Sequence, residues 1–299
     1  MKVIVLGLDG LEVRLVKRWQ LRGLMQREWG IHDTYLVCRG GEPIYTPIIW
    51  SAFLLGRNPS TSGFTFKRLL MERMKVGYGL LYPLYRIRVA LFSNRKLGLR
   101  KYMMKLGLFN LNRIKREMRN IERLPNELKE ETLVAEAERL GYRVWIKEFP
   151  SYNDEKVAEL RAFLGEYFYA DFRERLKLLE EIYLFSIELL KEAVEMINEN
   201  DLVLYYSPLI DYANHMLYRP KKPKPMLYLS IFYRRINRLF ESISHKLKDT
   251  AILIVSDHGY DPSKHDHSRY GFWSSNVNLK MKPKYITDFK SIILDLLMK

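Results

Sequence analysis

Short, wholly apolar runs alternate along the chain with longer stretches of helical periodicity. Residues 3–8 (Val-Ile-Val-Leu-Gly-Leu) are rich in β-branched side chains and stop at Asp9-Gly10, the pattern of a buried strand closed by a turn. Similar runs at 141–147, 201–207 and 250–256 read as three further strands. Each follows a helical pattern: one that Asn126 would N-cap and Gly141 would end, one over 171–198, and one over 226–247. Strands that are apolar on both faces, alternating with helices, predict an α/β fold. Its sheet would be doubly wound and mostly parallel, with helices on both faces. In such sheets ligands gather beyond the C-terminal ends of the strands.

Residues 73–119 break the alternation. They hold thirteen Lys or Arg against one acid, Glu117, with Tyr78, Leu80, Leu84, Tyr85 and Ile87 interleaved. This reads as a basic, apolar flap inserted into a single domain spanning 1–299. Composition narrows the class further. At 47% hydrophobic residues, 299 residues can bury a sizeable core, which excludes a wholly disordered chain. The lone cysteine, Cys38, excludes a disulfide framework or a Cys-rich zinc module and fits a reducing compartment. A net charge of +15 points to acidic partners: phosphorylated substrates, nucleic acid or an anionic membrane face. The apolar run at 3–8 is too short for a signal-peptide core, and Arg86 and Arg88 interrupt the nearest approach to a membrane span. The expectation is a cytoplasmic protein, peripheral to an anionic membrane through 73–119.

The strand ends carry the candidate chemistry. Asp9 follows the first strand, Asp211 lies just past the third, and Asp257-His258 close the fourth. His215 stands four residues after Asp211, so on a helix the two would share a face. Gly259 would permit a sharp turn placing Asp257 and His258 on one site. His265 and His267 share the loop that follows. Asp9, Asp211, His215, Asp257, His258 and His267 make three carboxylates and three imidazoles, a set for two borderline cations such as Zn²⁺ or Mn²⁺. A hydroxyl is supplied by Thr46, at the start of a helix that Pro47 and Gly56 delimit. It is either a plain N-cap or a reactive group at a helix N-terminus, whose free N–H groups and dipole attract phosphate.

Together these motifs resemble the type I phosphodiesterase/nucleotide pyrophosphatase family of the alkaline phosphatase superfamily. The matching pieces are Val5-Leu6-Gly7-Leu8-Asp9-Gly10, Thr46-Pro47 with Ser51, Gly56-Arg57-Asn58-Pro59 and Gly63, Asp211-x-x-x-His215, Ser256-Asp257-His258-Gly259, and His267 with Gly271 and Trp273. They stand in the family's order, and outside them only about 64–125 lacks a counterpart. The resemblance implies a binuclear site, one metal on Asp9, Thr46, Asp257 and His258, the other on Asp211, His215 and His267. It prefers His267 to His265 for the residues that follow, and Thr46 to Ser51 because Thr46 precedes Gly56 by ten residues. It implies hydrolysis of phosphoric esters through a phosphothreonine, with two divalent ions as cofactors, Zn²⁺ first and Mn²⁺ second. The family's phosphate-binding Asn is matched here by Lys67, a point-charge phosphate binder. Monoester, diester, sulfate-ester and phosphonate chemistry all remain open on this scaffold.

Two other readings compete. Phosphoryl or phospholipid head-group transfer could use the same site, with the flap holding a lipid substrate. Alternatively the protein is a basic RNA- or membrane-binding module with a vestigial site, although no RNA-binding motif accompanies the basic stripe.

Overall fold

The computed structural model describes residues 1–92, 106, 108–167 and 170–299. Its strands are β1 (Lys2–Leu8), β2 (Glu28–Asp33), β3 (Val144–Ile146), β4 (Leu202–Ser207), β5 (Thr250–Val255), β6 (Gly259–Asp261), β7 (Asp266–Ser268) and β8 (Tyr270–Ser275). Six of them form one sheet in the order β2-β8-β5-β1-β4-β3. The four strands expected from the apolar runs, β1, β3, β4 and β5, are mutually parallel; β8 runs antiparallel to both of its neighbours. The expected α/β class therefore holds.

The period of two along each central strand explains the layers. On β1, Ile4, Leu6 and Leu8 face one core while Val3 and Val5 face the other. The first core is closed by the long helices Phe172–Met196 and Pro223–Lys246. The second is closed by Thr46–Leu55 and Phe289–Leu297. Helix Thr46–Leu55 is buried at every one of its ten positions. It approaches the sheet closely because Gly7 has no side chain: a Cβ there would stand 3.0 Å from Cη2 of Trp50. Tyr206 on β4 belongs to this second face, which puts its hydroxyl on the same side as Thr46.

The structure corrects several expectations. The helix expected between Asn126 and Gly141 is two, Asn126–Lys129 and Leu133–Arg139. Thr132 breaks it, its hydroxyl accepting the Ala135 N–H and capping the second helix, while Pro125 rather than Asn126 occupies the first cap position. Strands β2 and β8 were not expected. Glu28–Asp33 is half-exposed and lacks an apolar run, and Tyr270–Ser275 ends in two serines.

Among its described residues, 73–119 contributes helices and no strand. Helix Phe66–Tyr78 runs into it, followed by Tyr82–Phe92 and Leu111–Glu122. Met74, Tyr78, Phe109, Ile114 and Met118 form a small core of its own. Residues 93–105 and 107 of the expected flap lie outside the described residues. Among those described, no helix is long and apolar enough to cross a membrane.

Candidate active site

Because β5, β1 and β4 are adjacent and parallel, their C-terminal ends open onto one edge of the sheet. Asp9 is the first residue beyond β1, and Ser256-Asp257-His258 follow β5 directly. After β4, Pro208 caps the helix Leu209–Leu217, which holds Asp211 and, one turn later, His215. The structure thus gathers onto one edge residues drawn from both ends of the chain.

Two clusters share one carboxylate. Oδ1 of Asp211 lies 3.4 Å from Nε2 of His215 and 3.6 Å from Nε2 of His267. Asp211 also joins Asp9 and His258 in a second group whose ligand atoms lie within 4.8 Å of one another. Nε2 of His258 stands 3.2 Å from Oδ1 of Asp9 and 3.4 Å from Oδ2 of Asp257. These contacts are close, yet they are not angled as hydrogen bonds. Asp9 Oδ1, Asp211 Oδ1, Asp257 Oδ2 and His258 Nε2 are all buried without a hydrogen-bond partner. Four orphaned polar atoms converging in one place would be costly for a finished interior, and they fit the donor set of hard and borderline divalent cations.

Neighbouring groups orient these side chains. His258 directs Nδ1 to the Gly259 carbonyl at 3.0 Å, and His267 directs Nδ1 to the Ile44 carbonyl at 3.3 Å, leaving Nε2 of each for the site. The Ser256 hydroxyl accepts the Leu11 N–H and donates to the His258 carbonyl, fixing the turn after β5. Asn214 donates to the Gly10 carbonyl at 2.7 Å and holds the Asp211–His215 helix against the end of β1. Buried His32, pulled down to about 4 by burial, donates Nε2–H to the Ser256 carbonyl at 2.6 Å. Sequence reasoning missed His32 and Asn214, whose roles rest on contacts across the fold.

His267 and His265 are separated by the β6–β7 hairpin. His267 pairs with Tyr260 on the strand, whereas His265 is exposed at the connecting turn with φ +53°. Gly259 has a different role from the turn expected of it. Its φ is not positive; instead a Cβ would come within 2.7 Å of both the Ser268 hydroxyl and the Tyr270 carbonyl. Gly10 is the position that needs glycine on both counts. Its φ is +66°, and a Cβ would lie 2.8 Å from Cβ of Asp211. Gly10→Ala is expected to cost about 2–4 kcal/mol by denaturant unfolding and to weaken the site by pushing Asp211 away.

Thr46 is the first residue of its helix, with Tyr45 in the cap position, so it is not an N-cap. Its hydroxyl donates to Oδ2 of Asp9 at 3.4 Å. The same oxygen accepts from the Tyr206 hydroxyl, a residue the sequence did not single out. Pro47 has no N–H, and those of Ile48 and Ile49 go to the Tyr45 carbonyl. The expected cradle of free N–H groups therefore reduces to the helix dipole and at most the N–H of Thr46. Ser51 is buried and donates to the Pro47 carbonyl at 2.7 Å, a bond within its own helix.

A cavity of about 280 Å³ opens on Asp9, Thr46, Asp211, His215 and His267. Met118, Leu164 and Tyr212 give it an apolar wall, and Arg73 and Arg161 bring cations to it. Lys67, expected to meet phosphate, is exposed and does not line this cavity. It sits at the second position of Phe66–Tyr78, whereas Arg73, further along the same helix, lines the cavity. Buried Glu122 pairs with Arg73 and, at 2.8 Å, with Arg161, which also pairs with Asp154. The segment 73–119 thus contributes to the cavity through Arg73 and Met118.

The electrostatics follow from burial and crowding. Burial, reinforced by the charge of Asp9, raises Asp211 to about 6 and Asp257 well above the usual carboxylate range. At Asp9 burial opposes ionisation, but the close contact with His258 and its charge hold the group below its usual range. His258 loses by burial and gains more from Asp257 and Asp9, ending at about 10. Burial and the His258 charge bring His215 and His267 down to about 4, so both are neutral bases at pH 7.

The family described as type I phosphodiesterase / nucleotide pyrophosphatase matches residues 105–287, more than half of the chain. The matched span includes Asp211, His215, Asp257, His258 and His267; Asp9 and Thr46 precede it and join the cluster through the fold. A solved structure described as "Structure of PH0037 protein from Pyrococcus horikoshii" is similar at 13% identity, with a TM-score of 0.49, covering 99% of this chain and 97% of that one. No curated protein matches. On the family match over residues 105–287, the chain belongs to the type I phosphodiesterase/nucleotide pyrophosphatase family of the alkaline phosphatase superfamily.

Proposed function

We propose that the protein is a metal-dependent phosphodiesterase that works through a phosphothreonine at Thr46. The observation that carries this reading is the convergence of four buried, unpartnered ligand atoms beside the Thr46 hydroxyl. Asp9, Thr46, Asp257 and His258 would hold one divalent ion and Asp211, His215 and His267 the other, with Zn²⁺ the first candidate and Mn²⁺ the second. Bound there, the ions would neutralise the phosphate charge and ease ionisation of the threonine hydroxyl.

The remaining chemistry belongs to the chain. Asp9 accepts the Thr46 hydroxyl proton in a hydrogen bond and is itself fixed by Tyr206, so the threonine oxygen is held in one orientation. Attack on phosphorus forms the Thr46 Oγ1–P bond and expels one alcohol. Water then cleaves the phosphothreonine and releases the monoester. The apolar wall of Met118, Leu164 and Tyr212 offers a surface for an organic ester group, which favours a diester over a simple monoester. Arg73 and Arg161, pre-oriented by Glu122, supply positive charge to the same cavity. The substrate is accordingly a phosphorylated small molecule or a lipid head group.

The test is hydrolysis of bis-p-nitrophenyl phosphate against the monoester at alkaline pH, before and after chelation and re-addition of Zn²⁺ or Mn²⁺. Diester turnover that is unaffected by complete metal removal would overturn the reading, and an added alcohol acceptor would reveal transfer. The proton balance gives a second check. His258 is charged at pH 8 in the metal-free protein but must be neutral to ligate, so binding expels its proton. Calorimetry in buffers of differing ionisation enthalpy should therefore detect release of at least about one proton as the metals bind.

A further inference from the structure

The helical insertion carries a surface that the catalytic reading leaves unused. Leu80 is 99% exposed, Leu84 63% and Ile87 56%. Pro83 and Ala90 are exposed on the same face, so the positions recur at helical spacing along Tyr82–Phe92 and the turn before it. The opposite face is anchored inward: Tyr85 stacks on Tyr78 at 4.7 Å between ring centroids, and Tyr82 and Leu81 pack on the insertion's own core. The aliphatic face is therefore held outward by packing.

Exposed positive charge accompanies it. Lys75, Arg86, Arg113 and Arg116 are exposed, and the guanidinium of Arg113 lies beside Gly79 at the foot of the stripe. The insertion as a whole holds thirteen cations against one acid. Exposed aliphatic side chains on a helix that also carries Arg86, with Arg113 beside its foot, match a surface with anionic head groups above an apolar layer. Single-stranded nucleic acid would instead call for exposed aromatic platforms, and here Tyr78, Tyr82 and Tyr85 are turned to one another.

We propose that the insertion docks the protein on an anionic lipid bilayer, with Leu80, Leu84 and Ile87 entering the head-group region and the surrounding cations meeting lipid phosphates. The proposal does not depend on the catalytic reading, and its test measures binding alone. The full chain would be sedimented with vesicles of phosphatidylcholine, alone or with about 30 mol% phosphatidylglycerol. Binding is expected on the mixed vesicles, weak on the neutral ones, and decreasing as salt rises. The variant L80E/L84E/I87E should bind the mixed vesicles at least about tenfold more weakly at an unchanged melting temperature. L80S, at the most exposed position, should lose severalfold and keeps the idea testable should the triple variant misfold. Equal binding by these variants, equal binding to neutral vesicles, or tight retention of a single-stranded oligonucleotide with none of vesicles would overturn the proposal.

Discussion

Thr46→Ala is expected to lower kcat for a phosphodiester by at least about 10⁴-fold while divalent cations still bind through the remaining acids and histidines and the melting temperature stays near wild type. The hydroxyl is the only reactive group the substitution removes. Its hydrogen bond to Asp9 is long, 3.4 Å, so its loss should cost no more than about 1 kcal/mol of stability. Thr46→Ser keeps an oxygen at the same place and should stay within about tenfold of wild type. Ser51→Ala provides the contrast, because that hydroxyl is spent on the Pro47 carbonyl and should leave turnover intact. Substantial diester hydrolysis by Thr46→Ala, measured with re-metallated protein, would remove the phosphothreonine from the mechanism.

Asp211→Asn should be nearly as damaging, for another reason. Asp211 belongs to both candidate ligand clusters, so one amide in place of its carboxylate should weaken two sites at once. Bound metal should fall from about two ions per chain to one or fewer, and turnover by roughly 10³-fold or more, a barrier increase of about 4 kcal/mol. The metal-free protein should respond in the opposite direction. In the fold Asp211 is raised from 3.8 to about 6 by burial and by the charge of Asp9. A raised carboxyl favours the folded state only while protonated, so its ionisation destabilises the fold as pH climbs from about 4 to 6, and the penalty is complete above that. Metal-free Asp211→Asn should therefore melt a few degrees above metal-free wild type at pH 8, with that advantage fading below about pH 4. A variant that melts lower at pH 8 would mean that Asp211 is stabilised by partners other than those described.

Much of the core of this fold was legible because its strands are buried on both faces. Apolar runs such as 3–8 and 250–256 can be satisfied only by a sheet covered on both sides, and the intervening helical periods supply the cover. What escaped was structure whose stability comes from partners. β2 is an edge strand with Trp29 and Ile31 partly exposed, and its pairing with β8 is defined across more than two hundred residues. The helix expected over 126–141 was divided by a single hydroxyl at Thr132. Lys67 shows the same limit at the site. Matching the family's motif pointed to a cation at Lys67, but Lys67 is exposed and absent from the cavity wall, where Arg73 and Arg161 stand.

The order of apolar and polar residues, with acids and histidines at the ends of apolar runs, was enough to determine the class of sheet and the edge where those acids and histidines gather. Parallel strands must present those ends on one side. Only the tertiary structure decided the rest: that the carboxylate of Asp211 is shared by two clusters, that Tyr206 and His32 brace the site, and that the basic segment 73–119 reaches the cavity with Arg73 and Met118. Those facts depend on distances between segments remote in the chain. Such distances are set by side-chain packing between layers, which a local pattern of residues does not encode.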